Sequence, residues 1–197
     1  MRKFVPRWAV MTDGALSELR ERPFALLREM ERRAWRVAGE HGDAPSTRDW
    51  VGIGFRLGDE RFLAPREEVR EIVASPTGLA RVPGAKAWIA GLISIRGQLL
   101  TVVDLNAYLG GGALRLGRDS RILVINHREL GAGLLVDEVL GFRRFPEAAR
   151  VDAPGETTLR CRRYLSGAFV QADTTWPVFS LAALSESPSF LRAAEDG

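Results

Sequence analysis

Residues 89–105 read Ile89-Ala90-Gly91-Leu92-Ile93-Ser94-Ile95-Arg96-Gly97-Gln98-Leu99-Leu100-Thr101-Val102-Val103-Asp104-Leu105. Two apolar runs, Ile89–Ile95 and Leu99–Leu105, flank Arg96-Gly97-Gln98. That pattern is two strands around a tight reversal, with Gly97 supplying the permissive backbone. A cation set between two nearly continuous apolar strands must pair internally or face a partner, because an isolated buried charge is very costly. Arg96 therefore has two readings. It is a structural residue paired with Asp104 or a neighbouring carbonyl, or it is an exposed planar fork at an interface, where Arg is enriched.

The same texture extends to both sides. Val51, Ile53, Phe55 and Leu57 alternate toward one face of a strand, Gly58-Asp59-Glu60 reverses it, and Arg61–Ala64 returns. Pro65–Val73 reads as one helical turn leading into a strand. Arg121–Asn126 and Ala132–Val136 form a second hairpin around His127–Gly131. Short strands with glycine turns are the pattern of small barrels or a sandwich. Two related halves are visible. Gly91, Val102 and Leu105 are spaced as Gly167, Val178 and Leu181 are, and Glu68-Val69 after the first hairpin resembles Glu138-Val139 after the second. Two similar β units sharing a core are expected, since a unit of ~70 residues buries little alone.

Ahead of this region, Leu16, Leu19, Phe24, Leu27, Met30, Ala34 and Val37 predict a helix over 14–41, interrupted near Pro23 and stopped by Gly39 or Gly42. It either docks a face on the main domain or binds a partner. The polar stretch 42–49 is a linker. The organisation expected is thus 1–49 as a helical extension and linker, 50–186 as the β region, and 187–197 as a helical tail opened by Ser187-Pro188.

Composition narrows function. With 46% hydrophobic and 27% charged residues in 197, the chain is that of a folded soluble protein. Its 28 basic and 25 acidic residues are interleaved, whereas a nucleic-acid binder gathers its excess charge on one face. Arg2, Lys3 and Arg7, and the run Arg160, Arg162 and Arg163, are the exceptions. Cys161, the only cysteine, permits no internal disulfide and reads as a buried inert thiol on a strand or its edge. His41 and His127 lack metal-ligand spacing, so no metal is expected. No nucleophile–base pair, nucleophile elbow or phosphate loop occurs, so neither catalytic residues nor a cofactor is expected. Gly110-Gly111-Gly112 reads as a loop between the units, and Glu67/Glu68 and Asp137/Glu138 as solvated surface. No apolar run reaches membrane-spanning length and the basic N-terminus lacks a signal peptide's apolar region, so a cytoplasmic protein is expected.

Taken together, residues 89–105 resemble the signature of the CheW-like chemotaxis coupling proteins, an apolar strand ending in Arg-Gly followed by Pro-Val-(Ile/Val)-Asp-Leu. Thr101 stands where the family usually has Pro. Gly133-Leu134-Leu135-Val136-Asp137-Glu138-Val139 resembles the second signature, and Glu68-Val69-Arg70-Glu71-Ile72 matches a Val-x-Glu-Ile element. The resemblance covers about residues 50–186. Pro23–Glu40 and Trp176–Leu184 look closest to the coupling proteins of type IV pilus chemosensory systems, although a flagellar coupling protein carries the same signatures.

The resemblance implies an all-β fold with peripheral helices, in which two five-stranded SH3-like barrels pack on each other. It implies a non-catalytic adaptor, cytoplasmic and recruited to membrane receptor arrays, that links methyl-accepting chemoreceptors to the regulatory domain of a histidine kinase. It touches the membrane only through receptors and binds no nucleic acid. By position, Val69, Glu71, Ile72, Ile95 and Arg96 line the groove between barrels that takes the receptor's helical tip. Ala90, Gly91, Asn126 and Gly131 are the kinase-side positions, with glycine letting two backbones approach closely. The main alternative is a barrel that binds single-stranded nucleic acid. It requires exposed rings amid Arg, and Trp8, Trp35, Trp50, Trp88, Trp176 and Phe142-Arg143-Arg144-Phe145 are the candidates.

Overall fold

Strand β1 (Asp49–Leu57) turns at Gly58-Asp59 into β2 (Glu60–Pro65), with Leu57 opposite Glu60. The alternation read from Val51 onward is the structural one: Ile53, Phe55 and Leu57 are all buried. The computed structural model describes residues 49–74, 78–171 and 174–195. The helix expected over 14–41 lies outside them, as do Trp8 and Trp35. A 3₁₀ turn (Arg66–Glu68) leads into β3 (Val69–Ala74). Then come β4 (Ile89–Ile95), β5 (Gln98–Asp104) and the short helix α1 (Leu105–Tyr108). The hairpin β6 (Arg121–Ile125) and β7 (Ala132–Val136) is followed by β8 (Glu138–Pro146) and β9 (Arg150–Val151). Strands β10 (Leu165–Gln171) and β11 (Thr174–Phe179) and helices α2 (Leu181–Ser185) and α3 (Pro188–Glu195) complete the chain.

The strands form two mixed sheets, ordered β8-β1-β2-β11-β10-β9 and β3-β6-β7-β5-β4. Each curls round its own small core. In the first, Phe145 of β8 and Phe169 of β10 meet Leu63, Trp176 and Val178. In the second, Val73 of β3 and Ile93 and Ile95 of β4 pack on Leu100, Val102, Ile122, Val124 and Leu135. A larger core lies between the sheets and includes Phe55, Phe62, Leu123, Ile125, Leu134, Val136 and Phe179. Strands β6 and β7 read as continuous apolar runs for this reason: Ile122, Val124 and Leu135 face inward, and Leu123, Ile125, Leu134 and Val136 face the other sheet.

Two expectations are refined. The first sheet has six strands rather than five, because β9 adds two residues to its β10 edge. The two repeat units are also not independent barrels. β3 follows the first hairpin but pairs with β6, and β8 follows the second hairpin but pairs with β1. Each half lends its first hairpin, β1-β2 or β6-β7, to the sheet built from the other half's remaining strands. The repeat itself is real. Gly91 and Gly167 both lie at bulges, and Leu105 and Leu181 are both fully buried at the start of a helix. The bulge after Val69 on β3 matches the one after Val139 on β8.

Candidate partner-docking site

Ile95 pairs with Gln98, so β4 and β5 are joined by Arg96 and Gly97 alone. Their φ angles are 49° and 79°. Positive φ at both central positions is the I′ hairpin turn, which favours Asn-Gly or Asp-Gly because its twist suits the flanking strands. An Arg in that left-handed position costs about 1–2 kcal/mol. Its side chain is 85% exposed, with Nη2 3.5 Å from Glu71 Oε2. Glu71 Oε1 lies 3.9 Å from Arg70 Nε. Arg70, Glu71, Ile95, Arg96 and Gln98 line an open cleft of about 490 Å³. An ion pair this exposed contributes ~0–1 kcal/mol. Most donors of the Arg96 fork remain available beside Ile95 in a mainly polar cleft, which suits it to acceptors on another molecule rather than to holding the fold.

Asp104 is not the partner of Arg96. It caps α1, where its Oδ1 accepts from Ala107 N–H at 3.0 Å and Oδ2 accepts from Leu114 N–H at 2.7 Å. Asp137 accepts from Gly58 N–H at 2.7 Å and Glu138 pairs with Arg56 at 3.2 Å. Glu68 accepts from Leu181 and Ala182 N–H at the start of α2. These carboxylates, read as solvated surface from sequence, instead hold distant elements together. Cys161 sits in the turn before β10 rather than on a strand. Burial and the neighbouring Glu60 push its thiol up and outweigh the hydrogen bond to Thr157, so it is an unreactive thiol.

The five groove positions separate. Glu71, Ile95 and Arg96 share the cleft. Val69 is 2% exposed in the core between the sheets, so it offers no contact surface. Ile72 pairs with Leu123, whose side chain enters that same core, so Ile72 lies on the side of β3 that borders the seam between the sheets. It is 38% exposed. Its counterpart in the other half is Phe142, which pairs with the core residue Ile53 and is 62% exposed. The Arg66 guanidinium stands 5.9 Å from the Phe142 ring. The sequence offers Phe142–Phe145 only as a candidate patch for stacking bases, so Phe142 is not among the groove positions expected there. The repeat was the signal that could have found it.

Of the kinase-side positions, Ala90 packs partly on the inner core of the second sheet. Gly91 is buried with φ 145°, and a Cβ there would stand 2.6 Å from the Ala80 carbonyl oxygen. The backbone it admits is the chain's own, not a partner's. The Gly131 carbonyl accepts from Thr101 N–H at 2.9 Å. Asn126 is exposed and gives its side-chain amide to the Glu67 carbonyl at 2.8 Å.

Among the described residues no group of His, Cys, Asp and Glu is placed to hold a metal ion, and no helix is long and apolar enough to cross a membrane. Phe142 is the one large aromatic side chain exposed among them. Trp176 is buried and Trp50 packs against Phe145 and Phe169. A stacking track for bases needs several exposed rings in succession.

Two curled sheets about a common core, with an Arg-Gly turn over a cleft, define a class of scaffold domain, and comparison with known proteins agrees. Residues 51–189 match the CheW-like domain model, and the chain belongs to that family of scaffold and coupling proteins of chemotaxis-like systems. It is 35% identical over 173 residues to Protein PilI of Pseudomonas aeruginosa, covering 87% of this chain and 96% of that one. It is 36% identical to Protein FrzA of Myxococcus xanthus over 51% of this chain and 62% of that one. The scaffolding protein TtCheW from Thermoanaerobacter tengcongensis has a similar structure, with a TM-score of 0.61 and 26% identity over 71% of this chain and 94% of that one.

Proposed function

We propose that this protein is a cytoplasmic, non-catalytic adaptor that couples chemoreceptors to a histidine kinase in a system controlling type IV pilus twitching motility. The observation that carries the docking reading is Arg96, a largely exposed cation kept where the turn favours Asn or Gly. An outlier of this kind is retained for what its side chain does. The receptor's helical tip docks along the seam, with Ile72 and Phe142 as apolar contacts and Glu71, Ile95 and Arg96 at the adjoining cleft. The kinase's regulatory domain meets the face that carries Ala90, Asn126 and Gly131. Gly91 supports that face from within. The pilus assignment is supported by near full-length similarity to PilI.

The test uses the full chain against a receptor cytoplasmic fragment and the kinase regulatory domain, by calorimetry. The wild type binds both. Arg96→Asn keeps a left-handed residue acceptable to the turn and removes the fork. It should leave the thermal midpoint unchanged or higher, spare kinase binding and weaken receptor binding about tenfold, as for a lost charge-assisted contact. Absence of binding to both partners, or loss of both affinities together with the fold, overturns the reading. Deleting the gene should abolish twitching; intact twitching with lost swimming would move the protein to a flagellar system.

A further inference from the structure

Arg160, Arg162 and Arg163 are all exposed, and none has a carboxylate within ion-pair distance among the described residues. The turn that carries them is firmly built. Its Leu159, Cys161 and Tyr164 are buried in the core between the sheets. Arg160 N–H donates to the Leu109 carbonyl at 2.9 Å, and Tyr164 N–H donates to the Cys161 carbonyl at 2.8 Å. From β2, Glu60 accepts from Thr158 N–H at 2.8 Å. The Arg160 stem runs past Gly110, and the Arg163 guanidinium lies 5.9 Å from the Tyr164 ring. Three cations are thus displayed on a backbone that has little freedom left to lose on binding.

We propose that this turn is a docking surface for an acidic peptide segment of a protein partner, one with at least two neighbouring carboxylates. Planar guanidinium forks match carboxylates in geometry as well as charge. Nucleic acid fits less well, because the adjoining ring, Tyr164, is buried and three cations make too short a phosphate track. A membrane fits less well, because the apolar residues next to the arginines, Leu159 and Cys161, are buried in the core and leave nothing to insert. This surface goes beyond the receptor and kinase reading and does not depend on it.

The test is fluorescence anisotropy of a labelled ten-residue polyglutamate peptide with the full chain at low salt. Oligothymidylate of the same length and phosphatidylglycerol vesicles serve as the other probes. Changing all three residues, R160Q/R162Q/R163Q, should weaken peptide binding about tenfold or more, as for three charge-assisted contacts. R115Q/R118Q/R128Q removes the same charge elsewhere and should cost about twofold at most, as for exposed charges. The single changes R160Q, R162Q and R163Q give the same ordering should the triple variant fail to fold. Equal losses from the two triple variants would overturn the proposal, leaving only net charge. Oligothymidylate or vesicles binding as tightly as the peptide, with the same sensitivity to the first triple, would overturn it in favour of nucleic acid or lipid.

Discussion

Gly91 and Gly167 are the same residue of the repeat used twice. Their φ angles are 145° and 117°, and a Cβ on either would meet a backbone carbonyl oxygen, Ala80 at 2.6 Å or Val151 at 2.7 Å. In both cases that carbonyl belongs to a short segment paired beside the strand, Ala80 beside β4 and Val151 of β9 beside β10. Both the strained backbone and the contact oppose any side chain, and neither neighbour is a flexible side-chain end that could yield. Gly91→Ala and Gly167→Ala should each lower unfolding free energy by roughly 2 kcal/mol or more, as for Ala forced into a positive-φ position, read from the urea midpoint at unchanged slope. A cost under half of that in either variant would mean that the edge segment simply moves aside. The spacing of these glycines was visible in the sequence. What presses on them was not, because Ala80 and Val151 lie on other segments that local pattern does not connect.

At the scale of elements, the loops are held by carboxylates reaching across the chain. Glu68, before β3, caps α2, and Ser180 Oγ adds its own bond to Ala183 N–H at 3.1 Å. Glu60 at the start of β2 holds the 157–158 turn: Thr157 Oγ1 donates to Oε2 at 2.5 Å, and the Thr158 hydroxyl and N–H donate to Oε1. Burial pulls the Glu60 carboxyl up, but these donors outweigh it and hold the group below its ordinary value of 4.5. The unfolded chain therefore takes up this proton first as pH falls. The stability contributed by Glu60 is complete above pH 4.5 and lost as pH drops through the lower folded value. In Glu60→Gln, the loss of stability with falling pH below 4.5 should be shallower than in the wild type, measured by denaturation at a series of pH values. Parallel curves for the two proteins would show that the turn is held without the charge. Sequence reading located Glu60 in a hairpin turn, but its partners lie 97 and 98 positions away.

For the whole molecule, the exchange of hairpins between halves decides how it folds. β3 pairs with β6, β8 with β1, β2 with β11 and β5 with β7. A cut at Gly111 divides every one of these pairings and splits the core between the sheets. Fragments 1–110 and 111–197 should each lack dispersed amide resonances alone, and should regain native spectra only when mixed. The intact chain should unfold in one transition, seen at the same midpoint by circular dichroism and tryptophan fluorescence. Either fragment folding alone would show that a single half closes its own barrel.

The sequence by itself determined the strands, their turns, the internal repeat and the family. These rest on short-range signals: alternation at period two, apolar runs bounded by glycine, and signature residues within seventeen positions. Burial on both faces makes β6 and β7 uniformly apolar, and that too is written locally. Only the tertiary structure decided whether Arg96 is buried or presented, because its pairing with Glu71 spans two strands that are not neighbours in the sheet. Only it placed Val69 in the core while leaving Ile72 and Phe142 on the seam. Which face of an edge strand meets solvent depends on which strand it pairs with. Here that partner lies in the other half of the chain, beyond the reach of any local pattern.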